Sequence, residues 1–278
     1  MNLEEYVQHW DNKINKWFLS PNEVVTDKDD FQYEYMPEPY IGNPYNPSSV
    51  ILNFNPGIGV CHSWMALKDV QGSLIHKVAN STYSKVFMDF PYLRDGESIE
   101  LLHWDNSPGR KWWKERYKWI DHIVNKTCGN NGGLMPFALE LCPWHSAKWN
   151  SNKFIIKLEN DDEFKQSVET NVISVFEEAI RKSHCPFGIC IGKKFDDVLS
   201  IYGYDDVTKE YYQGTDKDGY KLIPNINRYY RIFRKDDIIV LNTWHQGGNR
   251  TPSMAFGENE IELIKKIVNI VHLKQILL

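Results

Sequence analysis

The chain has 278 residues, enough for one large domain or two small ones, with a core that needs no staples to hold it. A net charge of −5 excludes a globally basic nucleic-acid binder, so any DNA contact must come from a local patch. Five cysteines (Cys61, Cys128, Cys142, Cys185, Cys190) without a C-x-x-C pair exclude a disulfide framework and an iron–sulfur spacing, and fit reduced thiols in the cytoplasm.

In chain order, residues 2–19 predict an amphipathic helix, with Leu3, Tyr6, Val7, Trp10, Ile14 and Trp17 on one face and Ser20-Pro21 as its stop. This N-terminus lacks the apolar centre of a signal peptide, and no run is long enough to span a bilayer, so a cytoplasmic protein is expected. Residues 26–48, rich in proline and tyrosine, read as an irregular lead-in. Four short apolar runs follow: Ser49–Phe54, Pro136–Leu141, Phe187–Ile191 and Ile238–Thr243. Separated by segments long enough for helices, they predict four buried parallel strands of an α/β sheet. Helices are expected over 73–89, 110–126, 163–182 and 193–201, with a core-facing one over 258–277. Residues 202–236 alternate aromatic and polar side chains around a D-G turn and predict an insertion hairpin on the substrate side. One domain over 1–278 accounts for the whole, with 1–48 as its N-terminal helix and lead-in.

In open α/β sheets ligands gather at the carboxyl ends of the strands, near a switch in strand order. The four strands end in Asn53-Phe54-Asn55-Pro56-Gly57, in Glu140-Leu141-Cys142-Pro143-Trp144-His145, in Gly192-Lys193, and in Trp244-His245-Gln246-Gly247-Gly248-Asn249-Arg250. Taken singly, N-P-G is an ordinary turn and G-K is no phosphate loop. In this order, however, they resemble the uracil-DNA glycosylase superfamily over residues 48–256, in particular its single-strand-selective and mismatch-specific branches. Those branches end their first strand in Asn-Pro-Gly, matched by Asn55-Pro56-Gly57. Their N-x-C-P segment is matched by Glu140-Leu141-Cys142-Pro143 with one change, and their late His-Pro-Ser only by His245.

The resemblance implies a three-layer α/β/α fold around a four-stranded parallel sheet, and cleavage of an N-glycosidic bond in DNA without cofactor, metal or obligate protein partner. Such cleavage leaves positive character on the sugar and negative character on the departing base, after the nucleotide has been flipped out of the stack. By resemblance, Asn55 positions the attacking water; capping the following turn is its structural alternative. His245 donates to a base carbonyl, or else orients its own loop. Glu140 replaces the asparagine that reads uracil. A carboxyl accepts from a cytosine amine and, when protonated, donates to cytosine N3, so a modified cytosine is the expected base. Glycosylases of this superfamily that defend bacteria against phages with hypermodified cytosine set the precedent. A salt bridge to a strand-end lysine is the structural alternative for Glu140.

Phe54, Gly57, Trp64, Trp144 and His145 complete the expected base pocket; for Trp64, core packing is the alternative. Residues 110–118 (RKWWKERYK) interleave basic and aromatic side chains, making Lys111, Lys114, Arg116 and Lys118 candidate phosphate contacts, joined by Lys193, Asn249 and Arg250. Alternatives remain on sequence: a uracil or mismatch repair glycosylase, a metallohydrolase built from His62, His145, His245 and Glu140, which lacks local ligand spacing, a sensor that holds a modified base without cutting it, and a nucleoside hydrolase, which would need no basic patch.

Overall fold

A computed structural model of the chain describes residues 1–24, 31–56, 64–93, 108–129, 132–146, 150–211, 220–221, 228–245 and 265. Helix α1 (Leu3–Leu19) begins at a capping box in which Asn2 accepts from the Glu5 N–H and Glu5 accepts from the Asn2 N–H. Its buried face holds the six residues expected from helical spacing, and also Asp11. A single turn, α2 (Pro21–Val24), follows, then strand β1 (Tyr40–Ile41) out of the lead-in, and β2 (Val50–Asn53).

The helix expected over 73–89 is two: α3 (Leu74–Ala79), capped by Ser73, and α4 (Tyr83–Phe87), capped by Thr82. Each cap oxygen accepts a first-turn N–H, and the second cap interrupts the helical run. Helix α5 (Pro108–Thr127) precedes β3 (Phe137–Glu140). Helix α6 (Ser151–Asn160), absent from the sequence reading, starts where Asn150 accepts from the Lys153 N–H. Helices α7 (Asp162–Val168) and α8 (Ser174–Lys182) join through a π-turn at Glu169–Ile173, and β4 (Gly188–Ile191) and α9 (Phe195–Ile201) follow. Strand β5 (Asp205–Asp206), helix α10 (Thr208–Tyr211), and strands β6 (Tyr220–Lys221), β7 (Arg228–Lys235) and β8 (Ile238–His245) complete the described elements.

The strands form one mixed sheet in the order β1-β3-β2-β4-β8-β7-β5, with β6 paired to β7. The four expected strands do lie parallel, as β3-β2-β4-β8. The sheet is nonetheless larger than four parallel strands, because β1 adds antiparallel to β3, and β7 adds antiparallel to β8. Within the segment expected as an insertion hairpin, 202–236, β6 pairs antiparallel with β7, and β7 in turn pairs with β8 along all eight residues, through an Asp236-Asp237 turn. Every residue of β2 and β3 is buried, so both sheet faces are covered. On one, α8 packs against β2, β4 and β8, close enough that a Cβ at Gly188 would stand 2.4 Å from the Phe176 ring. The chain runs from β2 to β3 on one side, then to β4 on the other, which puts the switch in strand order beside β2.

The helix expected over 258–277 lies outside the described residues except for Lys265. Among the described residues no helix is long and apolar enough to cross a membrane.

Candidate functional site

Strands β2 and β3 end side by side, with Asn53 opposite Glu140. Their pairing continues one step further, since Leu141 N–H donates to the Asn53 carbonyl and Cys142 N–H to the Phe54 carbonyl, each at 2.7 Å. The side chains meet as well: Asn53 Nδ2 donates to Glu140 Oε1 at 3.1 Å, both residues being about 93% buried (6% and 7% exposed). Glu140 Oε2 is buried and has no hydrogen-bond partner among the described residues. Burial pushes the Glu140 carboxyl well above its ordinary range and the charge of Glu38 pushes it further, while the Asn53 bond and the charge of Arg116 oppose them. Its partner is thus an amide and not the strand-end lysine considered from sequence.

Glu38 comes from the lead-in. Its N–H donates to the Pro143 carbonyl at 2.9 Å, and the next carbonyl, Pro39, accepts from the Glu140 N–H at 3.0 Å, extending the β1–β3 pairing past Tyr40. The Tyr92 hydroxyl donates to Glu38 Oε1. Burial lifts the Glu38 carboxyl to about 7, against the opposing Tyr92 bond. The Tyr6 hydroxyl of α1 donates to the Pro39 carbonyl at 3.2 Å, fixing the same segment from the other side.

Arg116 departs from expectation. It is 2% exposed, with its guanidinium carbon 3.2 Å from the centre of the Trp112 ring, and its charge acts on Glu140. On α5 it therefore points inward and cannot belong to a phosphate-facing patch. On the same helix Lys118 is exposed and Lys114 half-buried, and Lys111 lies one turn nearer the N-terminus. Lys193 is exposed just past β4.

Phe54 stacks on Phe195 at 4.2 Å between ring centres, over Gly192, beside the switch in strand order. Asn55 follows, its Nδ2 donating to the Pro56 carbonyl at 3.1 Å. Buried His145 lies against the half-buried Trp64, 4.8 Å between ring centres, and Tyr35, 5.4 Å. Trp144 instead turns to α1, 6.1 Å from Trp10, with the Lys13 ammonium over both rings. His245 is the last residue of β8, opposite Arg228, two strands from β2 and so roughly 10 Å across the sheet. Gly57, His62, Asn249 and Arg250 lie outside the described residues.

Asn55, Glu140 and His245 therefore share the carboxyl edge of the parallel strands, with Glu140 alone at the buried polar centre. Sequence reasoning missed three groups of that centre: Asn53, Glu38 and Tyr92. Only a strand-end position marked Asn53, and Glu38, between two prolines, carries no periodic signal at all. A second polar group sits where β8 meets α9: Asn242 donates to Asp196 at 2.7 Å, with Arg231 3.5 Å from Asp196, whose carboxyl burial raises to about 6. Among the described residues no three His, Cys, Asp or Glu side chains are grouped to hold a metal ion.

Fold and site together define an α/β protein with a buried acid at the carboxyl edge of its parallel strands. Comparison with family models, with curated proteins and with solved structures returns no match.

Proposed function

We propose that this chain is a monofunctional DNA glycosylase that hydrolyses the N-glycosidic bond of an extruded, modified cytosine and leaves an abasic site. The observation that carries this reading is the buried Glu140 carboxyl, bonded by Asn53 on one oxygen and without a hydrogen-bond partner among the described residues on the other. In its neutral form such a group presents a carbonyl beside an O–H, the complement of cytosine's N4 amine and N3. The parallel order β3-β2-β4-β8 supports the finer reading of the fold as the three-layer arrangement of the uracil-DNA glycosylase superfamily.

In this mechanism the Asn55 amide, its nitrogen held by the Pro56 carbonyl, accepts from the attacking water through its oxygen. His245 donates to the base carbonyl as negative charge develops there. Lys111, Lys114 and Lys118 of α5, with Lys193, Asn249 and Arg250, hold phosphates in place of a globally basic surface. Selectivity for a modified over a plain cytosine suits a role in defence against phage DNA in the cytoplasm.

The test is excision from duplexes carrying uracil, 5-hydroxymethylcytosine, glucosylated hydroxymethylcytosine or plain cytosine, read as alkali-labile breaks. A modified cytosine is expected to be released, and His245→Ala and Asn55→Ala each to slow release about 100-fold. Faster release of uracil than of any modified cytosine overturns the choice of base. Binding to a modified cytosine without breakage identifies a sensor in place of an enzyme.

A further inference from the structure

We propose that Glu38 is a positioning residue which keeps Glu140 in its acid form, so that the pair selects a ligand edge with a ring-nitrogen acceptor beside an amine donor. The proposal rests on the reading of Glu140 as the group that meets the base, and names what sets its hydrogen-bonding polarity.

Glu38 cannot swing away from its neighbour. Its backbone is tied to Pro143, its carboxyl receives the Tyr92 hydroxyl, and the adjoining Pro39 carbonyl receives the Glu140 N–H. Glu140 is held equally firmly, in register with Asn53 on β2 and bonded to it through Oε1. Among the described residues, the charged and titratable groups that act on Glu140 come from four elements: Glu38 from the lead-in, Arg116 from α5, Tyr6 from α1 and Tyr92 from the turn at Pro91–Leu93. These groups comprise two acids and one guanidinium, and the set is neutral when it retains a single carboxyl proton.

Hydrogen bonding decides where that proton sits. Tyr92 donates to Glu38 and so favours its charged form, whereas Glu140 Oε2 has no donor among the described residues to stabilise a charge. The proton belongs on Glu140 Oε2, and Oε1, accepting from Asn53, is the carbonyl oxygen. An unpaired buried O–H requires an acceptor, and the carbonyl beside it can take one further N–H. N3 and N4 of a cytosine supply both. Uracil presents N3–H and O4, which places a donor against a donor and leaves both unpaired.

The test uses the full chain, selectively 13C-labelled at the glutamate carboxyl carbons, titrated by NMR. In the wild type one carboxyl resonance should remain protonated above pH 7, and Glu140→Gln should remove it. Glu38→Gln should lower its midpoint by about one pH unit or more. Tyr92→Phe, which withdraws the bond that favours charge on Glu38, should move the midpoint the same way and serves if Glu38→Gln does not fold. An unmoved midpoint overturns the proposal.

A second arm measures affinity for a duplex carrying one hydrolysis-resistant 2′-fluoro-5-hydroxymethylcytidine. Binding should weaken roughly 100-fold above the Glu140 midpoint, follow that midpoint down in Glu38→Gln, and be independent of pH in Glu140→Gln, whose amide imitates the acid form. Shifted midpoints without DNA binding sink the glycosylase reading and the ligand named here, and leave the role of Glu38 toward Glu140 standing. DNA binding with a fixed midpoint sinks only that role.

Discussion

Asp11, on the buried face of α1, accepts from the Ser84 N–H at 2.8 Å through one oxygen and from the Ser84 hydroxyl at 2.6 Å through the other. Both oxygens are satisfied, and the acid ties α1 to the start of α4. Asp11→Ala would strip a part-buried N–H and hydroxyl of their acceptor, so a loss of about 1–3 kcal/mol is expected in urea unfolding. Asp11→Asn keeps one acceptor and should lose less. Equal losses would show that the carboxylate is not what joins the two helices. Glu140 is the opposite case, a buried acid with one oxygen that has no hydrogen-bond partner among the described residues. Sequence singled out Glu140 through the resemblance, as the one change in a segment that matches N-x-C-P. It could not supply Asn53, Glu38 or Tyr92, whose meeting depends on the registers of β2 and of β1 against β3 and on the path of the lead-in. Arg116 was misassigned for a related reason. In a run as basic as RKWWKERYK, composition does not say which cation turns inward, and the stacked Trp112 with the acid beyond it decides.

Among the elements, the four parallel strands were legible because strands buried on both faces are continuous apolar runs bounded by polar residues. The edge strands were not. Strand β1 has two residues and no period of its own, and β7 (RYYRIFRK) looks like a polar hairpin until β8 pairs with it. Two glycines test how closely the layers approach. Gly42, after β1, has φ +94°, and a Cβ there would stand 2.0 Å from the Pro136 carbonyl oxygen. Gly42→Ala combines backbone strain with a clash against backbone, and roughly 2–4 kcal/mol should be lost. Gly188→Ala on β4 meets only the ends of side chains, Phe176 at 2.4 Å and Ile180 at 2.6 Å on α8, and its φ demands no glycine. About 1–3 kcal/mol is expected there. Trimming the partner with Phe176→Leu should recover part of that loss in the double variant, a coupling that denaturant unfolding of all four proteins measures directly. Strict additivity would mean that α8 does not bear on β4 at that point.

For the whole molecule, the buried acids set how stability follows pH. Most carboxylates that matter in a folded protein are stabilised in their charged form, and stability is lost as acid protonates them. Here the shifts run the other way: burial raises Glu38 to about 7 and Asp196 to about 6, and lifts Glu140 well above its ordinary value. A folded state that holds protons more tightly than the unfolded chain is favoured at low pH. For Glu38 that advantage is complete below the unfolded value of 4.5, declines as pH rises, and is gone above about 7. Its size is on the order of 3 kcal/mol. Asp196 adds a smaller decline between 3.8 and about 6. Net charge, −5 at pH 7 and near zero at the isoelectric point of 6.0, acts in the same direction only over the last part of this range. Asp237, held below its ordinary 3.8 by Arg181, is charged in both states before this range begins and does not alter the slope, and that pair is exposed and weak. Urea midpoints should therefore fall between pH 4.5 and pH 7, and the slope should be shallower in Glu38→Gln, which has no proton to lose at that position. A midpoint that rises with pH across this window would mean that Glu38 and Glu140 are solvated or paired with cations in the folded protein, and the buried acid on which the proposed base recognition depends would not exist.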